Sequence, residues 1–419
     1  MVDAAVIGLG YVGMPLAQAA SRAGLSVVGF DIDTSVVADL NAGISHVDDL
    51  QDRDVAEMLA LGFSATNDPG RLSEADAIVI CVPTPLADDG GPDLRHVEAA
   101  VATVAAQLRP GMVVILESTT YPGTTDEVVR PVLEADGLIA GRDFHLAFSP
   151  ERIDPGNREY GAKNTPKVVG GHTQACTDAA AAFYGRFVDT VVPTRGTREA
   201  ETAKLLENTY RHINIALVNE MARFCHDLGI DLWDVIAAAR TKPFGFQAFY
   251  PGPGVGGHCI PIDPNYLSHS VRARLGYPFR FVELAQEINS TMPSYVVRRA
   301  QDALNDDAKA LKGSTVLLLG VTYKPDIADE RESPAVPLAR QLVAHGATVL
   351  YHDPYVEDWR ALGGEIKRVD DPLAAAEDAD LTILVQNHSG YDVAALADAA
   401  RRLLDTRGVV PVNERVQRL

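Results

Sequence analysis

Cys259 lies in a segment, residues 250–264, that contains four glycines and four prolines. Such a segment has little propensity for helix or strand, and its exposed backbone N–H groups can bind an anion. A thiol among free N–H groups ionises more readily and becomes a nucleophile. The local sequence leaves two interpretations open for Cys259, a catalytic thiolate or a buried and inert thiol. The second is our interpretation of Cys81 and Cys225.

Two further sets of polar residues have spacings that suit a site. Lys204 and Asn208 are four residues apart in a long helical pattern and Arg211 follows three residues later, so all three are predicted to project from one helix face. A solvated face has the same pattern. Residues 149–152 (Ser-Pro-Glu-Arg) follow a predicted strand, where open α/β sheets place active-site groups, and a plain turn also fits them.

A glycine fingerprint, G-x-G-x-x-G, occupies residues 8–13 directly after a predicted strand, with Tyr11 and Val12 before its last glycine. Gly8 permits a tight turn, Gly10 lets the backbone approach a pyrophosphate, and Gly13 allows close packing of helix on strand. Asp31 ends the next strand, where a carboxylate accepts from ribose hydroxyls and repels a 2′-phosphate. Ile32 and Asp33 follow it with no arginine. The pattern predicts NAD rather than NADP as the cofactor.

The elements that position these residues alternate in the first half of the chain. Short apolar runs predict buried strands, and alanine-rich stretches between them have helical periodicity, which favours a parallel sheet covered on both faces. The predicted strands are 4–8, 26–31, 77–82, 112–117 and 145–149, and the predicted helices include 14–23 and 94–108.

A helical region and then a second alternation follow. Helices are predicted over 197–228, 232–239 and within 279–304, and the second alternation has strands 315–320, 348–352 and 381–385 with a helix near 334–345. The fold class is therefore α/β, with two doubly wound Rossmann-like domains joined by a central helical domain with a long connecting helix. The expected limits are 1–196 for the NAD-binding domain, 197–305 for the helical domain and 306–419 for the second α/β domain.

Composition excludes several classes of protein. The 419 residues include 37 Lys and Arg against 57 Asp and Glu, a net charge of −20 that disfavours nucleic acid and anionic membrane as partners. The four cysteines form no C-x-x-C pair and no His cluster has zinc-ligand spacing, so we expect no disulfide framework and no metal. Residues 1–7 read as a strand without a basic leader, and the expected location is the cytoplasm.

Eight motifs in order resemble those of the nucleotide-sugar 6-dehydrogenases, the UDP-glucose/GDP-mannose dehydrogenase family, over essentially the whole chain. They lie at residues 8–13, 82–85, 117–125, 149–152, 204–208, 254–263, 323–326 and 329–335. The resemblance implies a four-electron oxidation of a sugar C6 alcohol to a carboxylate with two NAD⁺ in turn. It also implies a homodimer made by the helical domain.

Residue roles follow from the resemblance. Cys259 is the implied nucleophile, which forms a thiohemiacetal and then a thioester, and Lys204 and Asn208 stabilise oxyanion charge. Asp263 and Thr119 hold a water used in proton transfer, and Glu151 acts in hydrolysis. Implied cofactor contacts beyond the glycine turn are Thr84, Thr119 and Arg331. The implied substrate contacts are Glu151, Arg152, Ile153, Lys204, Asn208, Arg211, Tyr250, Gly254, Tyr323 and Lys324.

Two departures from the family pattern bear on the substrate. UDP-glucose enzymes commonly have Gly-Gly-Ser-Cys-Phe, whereas residues 256–260 are Gly-Gly-His-Cys-Ile and residues 242–246 are Lys-Pro-Phe-Gly-Phe. These resemble the UDP-N-acetylglucosamine branch, with UDP-glucose or dTDP-glucose as alternatives. Residues 386–388 are Gln-Asn-His where the family often has an Asp before the His, which leaves uridine or thymidine open.

Two other functions remain as alternatives. A two-electron β-hydroxyacid-type dehydrogenase shares the Rossmann domain, the long helix and a lysine, but it needs no cysteine. A non-catalytic regulator that binds NAD or a nucleotide sugar has no need for Cys259, Lys204, Asn208, Asp263 and Glu151 together.

Overall fold

The computed structural model describes residues 2–47, 50–85, 87, 91–153, 157, 159–257, 260, 262–364 and 366–419. The chain divides into two compact units. The first unit comprises Met1–Glu207 and Asn265–Tyr277, and the second comprises Asn208–Pro264 and Pro278–Leu419.

An eight-stranded sheet organises the first unit, in the order β3-β2-β1-β4-β5-β6-β7-β8. Its first six strands are mutually parallel, β7 runs antiparallel to β6, and β8 is parallel to β7. Strand bounds are Val2–Ile7 (β1), Val27–Phe30 (β2), Ser64–Thr66 (β3), Ala75–Ile80 (β4), Val113–Leu116 (β5), His145–Phe148 (β6), Lys167–Gly171 (β7) and Val191–Pro193 (β8).

Helices cover both faces of this sheet. Successive residues of β1 enter opposite cores, Ala4 and Val6 in one and Ala5 and Ile7 in the other, because side chains of a strand alternate between faces. The helices are Gly13–Arg22 (α1), Thr34–Asn41 (α2), Asp52–Ala60 (α3), Arg95–Ala105 (α4), Arg130–Leu133 (α5) and Gln174–Tyr184 (α6), with a 3-10 turn at Pro69–Glu74 and a π turn at Thr125–Val129.

A long helix, Thr197–Asp227 (α7), passes from the first unit into the second. The helices that follow it are Leu232–Arg240 (α8), Asp263–Leu275 (α9), Arg280–Ser290 (α10) and Met292–Asn305 (α11). Helix α9 begins in the second unit and continues in the first.

A six-stranded parallel sheet completes the second unit, in the order β11-β10-β9-β12-β13-β14. Buried apolar clusters again lie on both of its faces, with Val316 and Leu318 in one and Leu317 and Leu319 in the other. Its elements are Thr315–Leu319 (β9), Ala335–Ala344 (α12), Thr348–His352 (β10), a 3-10 turn Ala361–Gly364, Lys367–Arg368 (β11), Pro372–Asp378 (α13), Leu381–Leu384 (β12), Val393–Ala399 (α14), Leu403–Asp405 (β13) and Val416–Arg418 (β14).

The predicted fold class is confirmed, and two details differ. The helical pattern over 279–304 is two helices, since α10 ends at Ser290 and α11 begins at Met292 with a proline in its first turn. The predicted parallel sheet of the first unit contains one antiparallel pair, β6 with β7. Within the described residues, no helix combines the length and apolarity that a membrane crossing requires.

Candidate active site

Two of the three fingerprint glycines, Gly8 and Gly13, are required by the geometry of the turn after β1. Gly8 has φ +88°, and a Cβ there would lie 2.7 Å from the Cys81 carbonyl oxygen. A Cβ at Gly13 would lie 2.0 Å from the Gly8 carbonyl oxygen, so only glycine lets α1 approach the strand. A Cβ at Gly10 would meet nothing within 4 Å. The space beside Gly10 at the start of α1 therefore fits a pyrophosphate held by backbone N–H groups.

Asp31, the residue after β2, stabilises this turn by accepting two backbone hydrogen bonds. One carboxylate oxygen accepts from the Leu9 N–H at 2.9 Å and the other from the Asp33 N–H at 3.0 Å. A carboxylate offers about four lone-pair positions, so ribose hydroxyls can still be accepted. Asp31 thus holds the turn in addition to suiting the ribose.

Glu151 and Lys204 lie together in the first unit, and both are buried at 8% exposure. The Lys204 ammonium donates to the Glu151 main-chain oxygen at 2.5 Å. The Glu151 Oε1 accepts a short hydrogen bond from the Ile153 N–H. The loop after β6 and helix α7 therefore present a cation and a carboxylate side by side.

Other predicted contacts of the first unit lie on neighbouring loops. Arg152 donates to the Pro166 carbonyl at 2.6 Å and pairs with Glu207 at 2.7 Å. The Thr84 carbonyl accepts from the Tyr266 hydroxyl, and Thr119 is half-buried after β5. All of these loops follow carboxyl ends of parallel strands, the edge at which such sheets bind ligands.

A buried ion cluster in the first unit was missed by the sequence analysis. The Lys167 ammonium lies 2.8 Å from Glu117 and 3.5 Å from Glu151, and the Tyr184 hydroxyl donates to Glu117. Burial raises the pKa of Glu117 and Lys167 opposes that shift. For Lys167 the two carboxylates outweigh burial and raise its pKa, so it stays protonated. Burial, then Glu117, also raises the pKa of the Cys81 thiol, as an inert cysteine requires.

In the second unit, Asn208 and Asp263 form a buried pair. The Asn208 amide donates to Asp263 at 2.5 Å, and the two residues are 4% and 3% exposed. Asn208 is one turn beyond Lys204 on α7, whereas Arg211 is exposed. Cys259, the predicted nucleophile, lies outside the described residues.

The glycines before Cys259 are packed against a predicted substrate-binding residue. A Cβ at Gly256 or Gly257 would lie 2.6 or 2.7 Å from side-chain atoms of Tyr323. The Gly257 N–H donates to the Arg331 carbonyl at 3.1 Å. The Arg331 guanidinium is exposed and pairs with Asp329 at 2.5 Å. These contacts bring residues 256–257 to the 323–331 segment.

The start of the same glycine-rich segment is held by buried amides. The Gly252 N–H donates to Asn219 at 2.9 Å, and Asn219 donates to Asn289 at 2.9 Å. Burial lowers the pKa of the adjacent His212 to about 4. At Gly254, which has φ +143°, a Cβ would lie 3.0 Å from Pro334. Tyr250 is 44% exposed and its ring stacks on Trp233 at 5.7 Å.

The second sheet repeats the strand–glycine–aspartate plan of the first. Gly320 has φ +75°, and the next N–H, that of Val321, donates to Asp353 at 2.7 Å, as that of Leu9 does to Asp31. His388 lies between Asp353, 3.0 Å from its Nε2, and the Asp326 N–H, which donates to its Nδ1 at 3.0 Å. His388 thereby anchors the loop that carries Tyr323 and Lys324, both half-buried.

Arg407 is a second residue that the sequence analysis did not single out. Its Nε donates to the Val385 carbonyl at 2.6 Å, and a Cβ at Gly252 would lie 3.4 Å from its Nη1. Burial lowers the pKa of Arg407 to about 10. An Asp-Thr-Arg run after β13, at a strand end, was the available signal.

Three family models match the chain in order. Residues 2–188 match the NAD binding domain of the UDP-glucose/GDP-mannose dehydrogenase family, residues 198–291 its central domain, and residues 317–415 its UDP binding domain.

Named relatives align over most of their length. A UDP-N-acetyl-D-mannosamine dehydrogenase of Pyrococcus horikoshii is 34% identical over 92% of this chain and 90% of its own. A UDP-N-acetyl-D-glucosamine 6-dehydrogenase of Pseudomonas aeruginosa is 37% identical over 84% and 82%. The solved structure of the Pyrococcus horikoshii UDP-D-ManNAc dehydrogenase superposes with a TM-score of 0.90 at 32% identity, covering 100% of this chain and 99% of the other.

Proposed function

Because the chain belongs to the UDP-glucose/GDP-mannose dehydrogenase family and is an NAD-dependent nucleotide-sugar dehydrogenase, we propose that it oxidises the C6 alcohol of a UDP-N-acetylhexosamine to the carboxylate. UDP-N-acetylglucosamine is the first candidate substrate, supported by residues 242–246 and 256–260. Relatives named for N-acetylmannosamine keep that sugar as the alternative. The observation that carries the proposal is the placement of Lys204 and Asn208, one turn apart on α7, each buried against a proposed catalytic residue.

The chemistry divides between cofactor and protein. Bound NAD⁺ supplies the hydride acceptor, once for the alcohol and once more at the aldehyde level. Cys259 adds as thiolate to the C6 aldehyde, since a carbonyl carbon does not readily surrender a hydride and a thiohemiacetal does. The Lys204 ammonium and the Asn208 amide stabilise the oxyanion charge, and Asp263 with Thr119 holds a water for proton transfer.

The remaining assignments are part of the same proposal. Backbone groups of Gly8, Gly10 and Gly13, followed by Asp31, hold the dinucleotide, with further contacts from Tyr11, Val12, Thr84, Thr119 and Arg331. The nucleotide sugar is held by cationic and aromatic side chains and by backbone groups around them. The residues proposed to contact the nucleotide sugar are Glu151, Arg152, Ile153, Lys204, Asn208, Arg211, Tyr250, Gly254, Tyr323 and Lys324. Domain limits of 1–196, 197–305 and 306–419 and a cytoplasmic location belong to the proposal too.

A homodimer through the helical domain is supported by an exposed apolar stripe on α7. Tyr210, Leu217 and Phe224 recur every seven residues and are 45%, 55% and 45% exposed, and Leu228 continues the stripe at 68%. Spacing of seven places side chains on one face of a helix, and a stripe of this kind suits a second copy of the same helix.

Replacing the proposed nucleophile tests the function. Cys259→Ser abolishes formation of the uronic acid while NAD affinity stays at the wild-type value, because the glycine turn lies in another segment. Cys225→Ala, at a buried thiol of α7 that is 3% exposed, is the matched control and retains turnover. Normal acid production by Cys259→Ser would overturn the covalent route and favour a two-electron dehydrogenase.

A further inference from the structure

Lys167 reaches the ligand-binding edge of the first sheet because β7 runs against its neighbour. Ala147 of β6 pairs with Gly171, and Phe148 pairs with Gly170. Continuing this antiparallel register by three residues places Lys167 opposite Glu151. The first residue of β7 therefore lies at the edge where β4, β5 and β6 end, although it comes from a strand of the opposite direction.

Within the described residues, Lys167 is held between two carboxylates and an aromatic ring. Its ammonium lies 2.8 Å from Glu117 Oε1, 3.5 Å from Glu151 Oε2 and 5.2 Å from the centre of the Tyr184 ring. Glu117 is fully buried, and its other oxygen lies 3.7 Å from the Cys81 Sγ. Glu117 holds the Lys167 ammonium in place, and the same ammonium lies 3.5 Å from Glu151.

Glu151 is held through its main-chain oxygen and through one oxygen of its carboxylate. Its main-chain oxygen accepts from Lys204, and its Oε1 accepts from the Ile153 N–H. Its Oε2 is buried and has no hydrogen-bond partner among the described residues. A buried carboxylate oxygen without a partner is costly unless a charge compensates it. The Lys167 ammonium, 3.5 Å from this oxygen, supplies such a charge.

We propose that Lys167 is a positioning residue that orients the Glu151 carboxylate, so that its Oε2 is placed to take a proton from the water that hydrolyses the thioester. This inference rests on the proposed role of Glu151. In that step the water oxygen bonds to the acyl carbon and one of its protons passes to Glu151. The carbon–sulfur bond then breaks, Cys259 leaves as thiolate, and the acid loses its proton to solvent. No oxidation state changes.

Removing Lys167 therefore has a specific kinetic effect. Both hydride transfers precede hydrolysis, so they continue, whereas thioester hydrolysis slows because the Glu151 carboxylate is no longer held in position by Lys167. The charged or titratable groups that face Glu151 from the elements packed around it are Lys167 from β7, Glu117 after β5, Cys81 after β4, Tyr184 from α6, and Lys204 from α7.

The double variant is chosen so that the fully buried Glu117 carboxylate is not left without its cation. Lys167→Met combined with Glu117→Gln removes one cation and one anion together. Lys167→Arg keeps the cation and is the conservative rescue. NAD affinity serves as the check of folding, since the glycine turn makes none of these contacts. If the double variant does not bind NAD, Lys167→Gln with Glu117→Gln replaces it under the same criteria.

The experiment follows NADH by stopped flow with UDP-N-acetylglucosamine and UDP-N-acetylmannosamine, and protein mass by mass spectrometry. For the double variant we expect a burst of two NADH per site, an accumulated adduct of the uronyl nucleotide, and steady turnover at least about tenfold below wild type at neutral pH. Lys167→Arg, which keeps a cation at this position, restores turnover and prevents accumulation of the adduct.

Two other outcomes would overturn either the role of Lys167 or the proposed function. Turnover of the double variant equal to wild type, or a deficit that Lys167→Arg does not relieve, contradicts the role of Lys167 while the proposed function stands. Wild-type protein that forms no more than one NADH per sugar contradicts the proposed function itself.

Discussion

Glu201 gives the stability of the first unit a pH dependence that can be worked out. Its carboxylate is fully buried and accepts from the Gly123 N–H at 2.5 Å, the Thr125 N–H at 2.9 Å and the Thr125 hydroxyl at 2.7 Å. Burial outweighs these three donors and raises the pKa of Glu201 to about 7. This side chain thus holds the segment that follows Thr119, a residue of the proposed site.

The direction in which stability changes with pH follows from the number of protons bound by the folded and unfolded states. Between the ordinary pKa of 4.5 and about 7 the folded state holds a proton that the unfolded state has lost, so stability falls as the pH rises. The difference of about 2.5 in pKa corresponds to about 3 kcal/mol, at about 1.36 kcal/mol per pH unit. About 2 kcal/mol of this falls between about pH 5.5 and pH 8. His212, with its pKa lowered to about 4 by burial, has the opposite effect, since stability falls as the pH drops below 6.5.

Comparing Glu201→Gln with wild type separates the contribution of Glu201 to the pH dependence of stability from that of His212. Exchange of the 123–133 amides, read by mass spectrometry and corrected for the intrinsic rate, reports the opening free energy of this segment. Relative to wild type, we expect the variant to gain about 2 kcal/mol, or about 30-fold in protection, from about pH 5.5 to pH 8. Glu199→Gln, on the exposed face of the same helix, shows no such gain. A difference that is constant with pH, or that grows in the opposite direction, would refute the reasoning.

Three further predictions concern binding, folding and assembly. Gly10→Ala keeps the thermal stability of the NAD-free protein, since its Cβ meets only open space, but it weakens NAD binding because that space is where the pyrophosphate is proposed to lie. Gly13→Ala is destabilised by about 3 kcal/mol, because its Cβ overlaps the Gly8 carbonyl oxygen. Equal effects of the two variants on melting temperature would contradict this. His388→Leu removes one of the hydrogen-bond donors to the buried Asp353 and costs about 2 kcal/mol of unfolding free energy, measured in urea; an unchanged midpoint would show that this hydrogen bond does not stabilise the second unit. Leu217→Glu converts the proposed homodimer into monomers in sedimentation experiments, and a wild-type chain that sediments as a monomer would exclude the dimer.

The elements that the sequence predicted are those with a clear apolar period. The run that becomes Ala75–Ile80 is apolar on both faces of a covered sheet, and α7 carries no Gly or Pro between Thr197 and Asp227. Strands such as Ser64–Thr66 and Val191–Pro193 have three residues each, too few to show a period. The break between α10 and α11 had a signal in Pro293, which suits the first turn of a helix.

The residues of the candidate site likewise divide into those that a local motif predicts and those that only the fold brings together. Gly8, Gly13 and Asp31 are local, since each acts within one strand–turn–helix unit, and their geometry follows from motif spacing. Lys167 could not be found by spacing, because its meeting with Glu151 depends on the direction of β7 and on a register set by pairing across the sheet. Direction is not encoded in an apolar run that is buried on both faces.

The measurement that tests the central claim most directly is the NADH yield with a limiting amount of UDP-N-acetylglucosamine or UDP-N-acetylmannosamine. Oxidation of C6 through a thiohemiacetal on Cys259 predicts two NADH for each sugar consumed, and a uronic acid as the product. A yield of one NADH per sugar, with an aldehyde as the product, would contradict the four-electron mechanism.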